Sequence, residues 1–156
     1  MTFTAFGIFK DLNITFRPTD EVLVMANMTN MIRVFNGLRI DPAINSTGVR
    51  LTGVEFHWND YNGIREIQIT GCLVDPGSAI EDIILGPMSP VSVTASGSEF
   101  NDLLHPNTVF DGDISTRWSS GQSLTQQPWI EIHLPGHALY SVGHLKVAPR
   151  DFRRKY

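Results

Sequence analysis

Short runs of alternating hydrophobic and polar residues dominate this chain, and no long 3.6-residue periodicity stands out. Such alternation is typical of β-strands that bury one face. The pattern predicts strands at residues 6–9, 13–17, 21–26, 31–35, 49–58, 64–70, 91–95, 129–134 and 143–148. Residues 100–104 and 107–110 are expected to form helical turns. Thirteen glycines and nine prolines supply the turns that many short strands need, so the chain is predicted to be all-β.

The strand predicted at 49–58 changes its hydrophobic phase part-way along. Val49 and Leu51 share one phase, whereas Val54 and Phe56 share the other. Gly53 stands at the change, and a glycine inside a strand is typical of a β-bulge. We therefore expect a bulge at Gly53 that re-aims the second half of the strand.

Residues 75–90 differ in composition from both flanks, because prolines and glycines bracket a short apolar run at 80–85. This composition predicts a linker with one short strand or turn. The flanking pieces, 1–74 and 91–156, would each bury only roughly 60% of their unfolded surface alone. We therefore expect them to share one core in a single domain, 1–156.

Composition excludes several classes of protein. The net charge of −4 argues against a nucleic-acid binder, which needs a basic surface. No apolar stretch reaches 18 residues, so the chain is not expected to be transmembrane. The first residues lack the basic segment and long apolar core of a signal peptide. Cys72 is the single cysteine and cannot form an internal disulfide.

Sequence motifs of common enzymes are also absent. The chain has no G-x-S-x-G, H-E-x-x-H, P-loop or C-x-x-C motif. Its five histidines are scattered at spacings that resemble no metal-ligand set. We therefore predict that the protein is not an enzyme.

The second piece contains three motifs, Val91–Gly97, Asp111-Gly-Asp-Ile-Ser-Thr-Arg-Trp-Ser-Ser120 and Gln127-Pro-Trp-Ile-Glu-Ile-His-Leu134. Together they resemble the opening of a discoidin domain, the coagulation factor 5/8 type C domain of the galactose-binding-like family. The first piece resembles the end of such a domain, through Gly48–Trp58 and Gly63–Cys72. This resemblance implies a galactose-binding-like jelly-roll β-sandwich.

The two halves stand in reversed order, since 1–74 resembles the carboxy-terminal half and 91–156 the amino-terminal half. We favour a circularly permuted domain in which residues 75–90 join the family's ends, because permutation is tolerated where termini meet at the surface. The alternative is a fragment that spans the junction of two tandem discoidin domains.

The turn at 111–116 is the candidate metal site. Asp111, Asp113 and the Thr116 hydroxyl supply hard oxygen ligands around Gly112, as Ca²⁺ prefers. The alternative is a turn without metal, in which the aspartates bond backbone N–H groups. The resemblance implies a structural calcium here, completed by Glu66 of the closing strand.

Ligands of this family usually bind in loops at one end of the sandwich. The resemblance therefore implies a loop site in this chain. A sugar site needs an aromatic platform and donors to hydroxyl groups. The candidate ligand-binding residues are His57, Tyr61, Asn62, Phe100, Asn101 and Arg150. Trp118 and Trp129 match family positions in or against the core and are expected to serve packing.

The resemblance thus implies a non-catalytic carbohydrate-binding module that recognises cell-surface or extracellular glycans or glycoproteins, with galactose-type sugars favoured. One alternative is a cell-adhesion or membrane-surface module that binds anionic phospholipid or protein. A third is an accessory domain severed from a larger enzyme or adhesin. The expected location is extracellular or at the cell surface.

Overall fold

The structure, a computed structural model, describes residues 9–26, 36–56, 63–74, 83–85, 92–96, 106–110, 112–113, 116, 118–119 and 127–149 of the 156-residue chain. Within these residues there are ten β-strands in two antiparallel sheets and no α-helix, so the predicted all-β class is confirmed. The strands are β1 (Phe9–Arg17), β2 (Glu21–Met25), β3 (Asn36–Ser46), β4 (Gly48–Phe56), β5 (Gly63–Leu73), β6 (Ile83–Leu85), β7 (Ser92–Ala95), β8 (Trp118–Ser119), β9 (Trp129–His133) and β10 (Tyr140–Pro149). Two short 3-10 segments lie at Pro106–Phe110 and Pro135–His137. No helical segment in the described part has the length and apolar character needed to cross a bilayer.

Each sheet combines strands from both sides of residues 75–90. Sheet A has the order β2-β1-β4-β9-β7, and sheet B has the order β3-β10-β5-β6 with β8 also paired to β5. β4 thus pairs with β9, and β10 lies between β3 and β5. β5, which precedes residues 75–90, belongs to sheet B, whereas β7, which follows them, belongs to sheet A.

The core lies between the two sheets and follows the two-residue period of the strands. In β1 the residues Leu12, Ile14 and Phe16 are buried, and the residues between them are half-buried. Ile130 and Ile132 of β9 are fully buried in the same way. Further buried positions on both sheets are Val49, Leu51, Ile67, Ile69, Val142, Leu145 and Val147. Each such side chain stabilises the fold by about 1.5–3 kcal/mol relative to an exposed one.

The predicted strands that fall on described residues are found, with bounds that differ by a few residues. The predicted linker contributes β6, and the helical turn expected at 107–110 is the 3-10 segment Pro106–Phe110. The bulge expected at Gly53 is confirmed by a register shift between the pairs Asp11–Glu55 and Leu12–Gly53. Residues 31–35 and 100–104 lie outside the described residues.

β3 is the strand that the hydrophobic pattern misses. Its half-buried or buried positions Leu38, Ile40 and Ile44 are interrupted by the exposed residues Asp41 and Pro42, so no regular alternation is visible. β3 nevertheless forms because it pairs with β10. This strand is therefore determined by tertiary contact and not by a local sequence pattern.

Candidate functional site

A buried glutamate on β5 contacts the turn that the sequence singles out. Glu66 is only 4% exposed, and its Oε1 accepts a hydrogen bond from the backbone N–H of Gly112 over 3.4 Å. Gly112 has a positive φ of 75°, a conformation that glycine adopts without the steric cost of a side chain. The turn therefore presents a backbone donor to a carboxylate that lies 46 positions earlier in the chain.

The turn is closed by its own backbone and one hydroxyl. The Asp113 carbonyl oxygen accepts from the Thr116 N–H at 3.2 Å and from the Thr116 Oγ1 at 2.8 Å. Such side-chain-to-backbone bonds are the usual way in which threonine stabilises a turn. Asp113 itself is exposed at the surface. We refer to Gly112, Asp113 and Thr116 as the Asp113 turn.

Packing on both sides holds the Asp113 turn beside β5. Before the turn, Val109 and Phe110 of the 3-10 segment enter the core. After the turn, β8 pairs with the start of β5, where Trp118 lies opposite Ile64. Trp118 is fully buried, as the sequence predicts. These anchors fix the turn against the strand that carries Glu66.

Glu66 and the Asp113 turn carry side-chain oxygens of the kind that a hard cation takes. Glu66 and Asp113 contribute carboxylates and Thr116 a hydroxyl, all oxygen ligands of the type that Ca²⁺ takes. Asp111, the fourth predicted ligand, lies outside the described residues. Within the described part of the chain, no three His, Cys, Asp or Glu side chains come together in a group that could hold a metal ion.

The predicted ligand-binding residues all lie outside the described residues. These are His57, Tyr61, Asn62, Phe100, Asn101 and Arg150. The loop site that they were predicted to form therefore stays a prediction.

Trp129 serves packing, but it lies outside the core. Ile130 and Ile132 of β9 point into the core, so alternation directs Trp129 to the outer face of sheet A. There the ring is half-buried under Arg50, whose Cζ lies 3.8 Å from the ring centroid. Trp129 thus packs against a guanidinium, a favourable cation–π geometry, and not against the core.

The same outer face carries a charge network that sequence reasoning missed. Glu131 Oε1 accepts from Arg17 Nε and from Arg50 Nε, each at 3.0 Å. Arg17 also pairs with Asp20, and the His133 Nε2 lies 3.6 Å from Glu131 Oε2. Arg50 and Glu131 are directly paired across β4 and β9. The network could therefore be predicted from the pairing register, but only once the strand order is known.

The network sets the acidity of Glu131. Burial raises the pKa of its carboxyl, but the hydrogen bonds and positive charges of Arg17 and Arg50 outweigh burial and leave the pKa below its ordinary value of 4.5. Glu131 is therefore ionised across the neutral range and holds two guanidinium groups in place.

No family model, curated protein or solved structure matches this chain. The discoidin resemblance consequently depends on the motif residues themselves.

Proposed function

We propose that this protein is a non-catalytic carbohydrate-binding module built as a discoidin-type jelly-roll sandwich, with the two halves of the family's domain in permuted order. The observation that carries the proposal is the contact between Glu66 and Gly112. The resemblance implies that a glutamate of the closing strand completes the aspartate turn of the opening half. Glu66 and Gly112 come from the two corresponding halves of this chain.

We further propose that the Asp113 turn and Glu66 hold a calcium ion together with Asp111. The ion would supply positive charge to a buried carboxylate that otherwise requires compensation from neighbouring groups. Its role is structural, because it ties β5 to the turn and so fixes the loops that follow. Glu66 and the Asp113 turn, which are joined by the hydrogen bond from the Gly112 N–H, would supply the oxygen ligands.

The glycan itself is bound through hydrogen bonds to its hydroxyl groups. A shallow site with few contacts gives dissociation constants on the order of micromolar to millimolar, so repeated copies strengthen attachment to a glycan-bearing surface. Cell-surface or extracellular glycans and glycoproteins are the partners that this mode of binding suits.

A glycan array tests the proposal, probed with the full chain in calcium and again after EDTA. Binding to galactose-type glycans that weakens after EDTA is the expected result. Binding to phosphatidylserine vesicles without any glycan signal would instead support the membrane-surface alternative and overturn the proposal. Absence of binding in both assays would leave only a structural accessory domain.

The calcium ion is tested separately by thermal unfolding of Asp113→Ala. The variant should lower the melting temperature relative to wild type in calcium but not in EDTA, because only the ion-bound state loses a ligand. Glu21→Ala is the matched control, since Glu21 is an exposed carboxylate in the other sheet. Equal losses for Asp113→Ala in both buffers would show that the turn holds no ion.

A further inference from the structure

The regular strand pairing of sheet B is interrupted at one level, where β3, β10 and β5 lie side by side. Between Val142 and His144, β10 carries one residue, Gly143, that has no counterpart in β5. Opposite the same point, β3 leaves its regular pairing with β10 over residues 40–43. Two irregularities side by side open a hollow where a regular sheet would be flat.

This hollow is a pocket of about 340 Å³, which lies at the lower end of the range for small-molecule sites. The pairing register places Arg39, His144 and Thr70 side by side across β3, β10 and β5. The residues that matter for recognition are Arg39, Asp41, Thr70, Ser141, Gly143 and His144. We call this the sheet B pocket.

The polar side chains of the sheet B pocket are not engaged with one another. Among the described residues, those of Arg39, Asp41, Thr70, Ser141 and His144 form no hydrogen bond or ion pair, although they line one cavity. Their donors and acceptors are therefore available to a molecule that enters the pocket.

We propose that the sheet B pocket binds a single neutral sugar residue. The carboxylate of Asp41 can accept from two neighbouring hydroxyls, and the guanidinium of Arg39 can donate to two oxygens. The Thr70 and Ser141 hydroxyls both donate and accept. The charges of Arg39 and Asp41 offset each other, so a neutral polyhydroxyl ligand matches the pocket better than an anion or a cation.

This inference rests on the proposed function and deepens it, because it assigns the sugar to the face of sheet B and not to the loops at the end of the sandwich. It predicts recognition mainly by hydrogen bonds, since no Phe, Tyr or Trp among the described residues lines this pocket. Affinity for one monosaccharide is consequently expected in the millimolar range.

Gly143 gives a clean way to close the pocket. A Cβ built on Gly143 meets no atom within 4 Å, and its φ lies outside the left-handed region. Gly143 lines the cavity, so Gly143→Val adds a side chain there at a position with room for its Cβ. Lys146→Val is the matched control, because Lys146 is exposed on the same strand and does not line the pocket.

The experiment is a ¹H–¹⁵N NMR titration of the full chain with methyl β-D-galactopyranoside and methyl β-D-glucopyranoside. Either glycoside should shift the amide signals of Thr70, Ser141 and His144. Gly143→Val should weaken that binding at least tenfold, with an unchanged melting temperature, and Lys146→Val should leave it unchanged. Asp41→Asn, which keeps the side-chain shape, should also weaken it.

Three results would overturn the inference in distinguishable ways. Sugar-induced shifts outside the pocket that persist in Gly143→Val would refute this pocket and leave the proposed function standing. Binding on the glycan array without shifts at the pocket from either glycoside would refute a single neutral sugar as the ligand of the pocket. No response to any glycoside, together with an empty glycan array, would refute the inference and the proposed function together.

Discussion

The outer faces of the two sheets use their polar residues in opposite ways. On sheet A, strands β1, β4 and β9 pair without a register shift around Arg17 and Arg50, which converge on Glu131. On sheet B, the register breaks beside Gly143, and Arg39 and its neighbours line a cavity without bonding one another. A regular ladder brings opposite charges together, whereas a bulged one separates them and leaves their hydrogen-bonding capacity for other molecules.

This comparison suggests a division of roles between the faces. The network on sheet A links three strands that are far apart in the chain and so supports the fold. The sheet B pocket adds little to stability, because its side chains make no bonds that unfolding would break. Mutations on the two faces should therefore separate effects on stability from effects on binding.

Two glycines at the β5–β10 pairing give the largest expected contrast. A Cβ on Gly71 would lie 2.6 Å from the Ser141 carbonyl oxygen, whereas one on Gly143 meets nothing within 4 Å. Gly71→Ala should force the strands apart and cost about 3 kcal/mol of unfolding free energy. Gly143→Ala should change it by less than about 0.5 kcal/mol. Urea unfolding measures both, and equal losses would contradict a hollow at Gly143.

The network on sheet A should be the next most sensitive place. Glu131→Ala removes the acceptor shared by Arg17 and Arg50 and should cost about 2 kcal/mol, the range for hydrogen bonds to charged groups. Glu21→Ala, at an exposed position on β2, is expected to cost less than about 0.5 kcal/mol. If urea unfolding finds the two variants equally stable, the network does not support the fold.

The pH dependence follows from the lowered pKa of Glu131. A carboxyl whose pKa falls on folding adds stability that is fully present above its ordinary value of 4.5 and is lost as the pH drops through the lowered value. Wild type should therefore lose more stability than Glu131→Gln on acidification from about pH 7 to about pH 3. Parallel curves for the two proteins would show that the guanidinium pairs make no net contribution.

The smallest expected effect compares two arginines. Arg50→Ala removes the bond to Glu131 and the stack on Trp129 and should cost about 1 kcal/mol. Arg39→Ala on sheet B should cost less than about 0.5 kcal/mol, because the described structure gives its side chain no partner to lose. A larger loss for Arg39→Ala would reverse the proposed division between the faces.

Much of the fold could be predicted because alternation is a local property. Leu12, Ile14 and Phe16 indicate a buried face of the strand within five residues, and the phase change at Gly53 indicates a bulge. β3 escaped prediction because the exposed residues Asp41 and Pro42 interrupt its pattern. Its partner strand lies about a hundred positions further along the chain, so only tertiary pairing reveals it.

The sites were less accessible to sequence reasoning for the same reason. In β5 the alternation puts Glu66 on the face opposite Ile67 and Ile69, which by pattern alone indicates exposure. Glu66 is buried because the Asp113 turn and β8 pack beside it. The sheet B pocket likewise depends on a register break among three strands, and no single stretch of sequence encodes it.

The account depends most on Glu66 and the Asp113 turn acting as one site that joins the two halves of the chain. Isothermal titration of CaCl₂ into wild type and Glu66→Gln tests this directly, with circular dichroism as the check that the variant is folded. We predict saturable binding by wild type and at least tenfold weaker binding by Glu66→Gln. Equal calcium affinity in the two proteins, or no binding by folded wild type, would contradict the account.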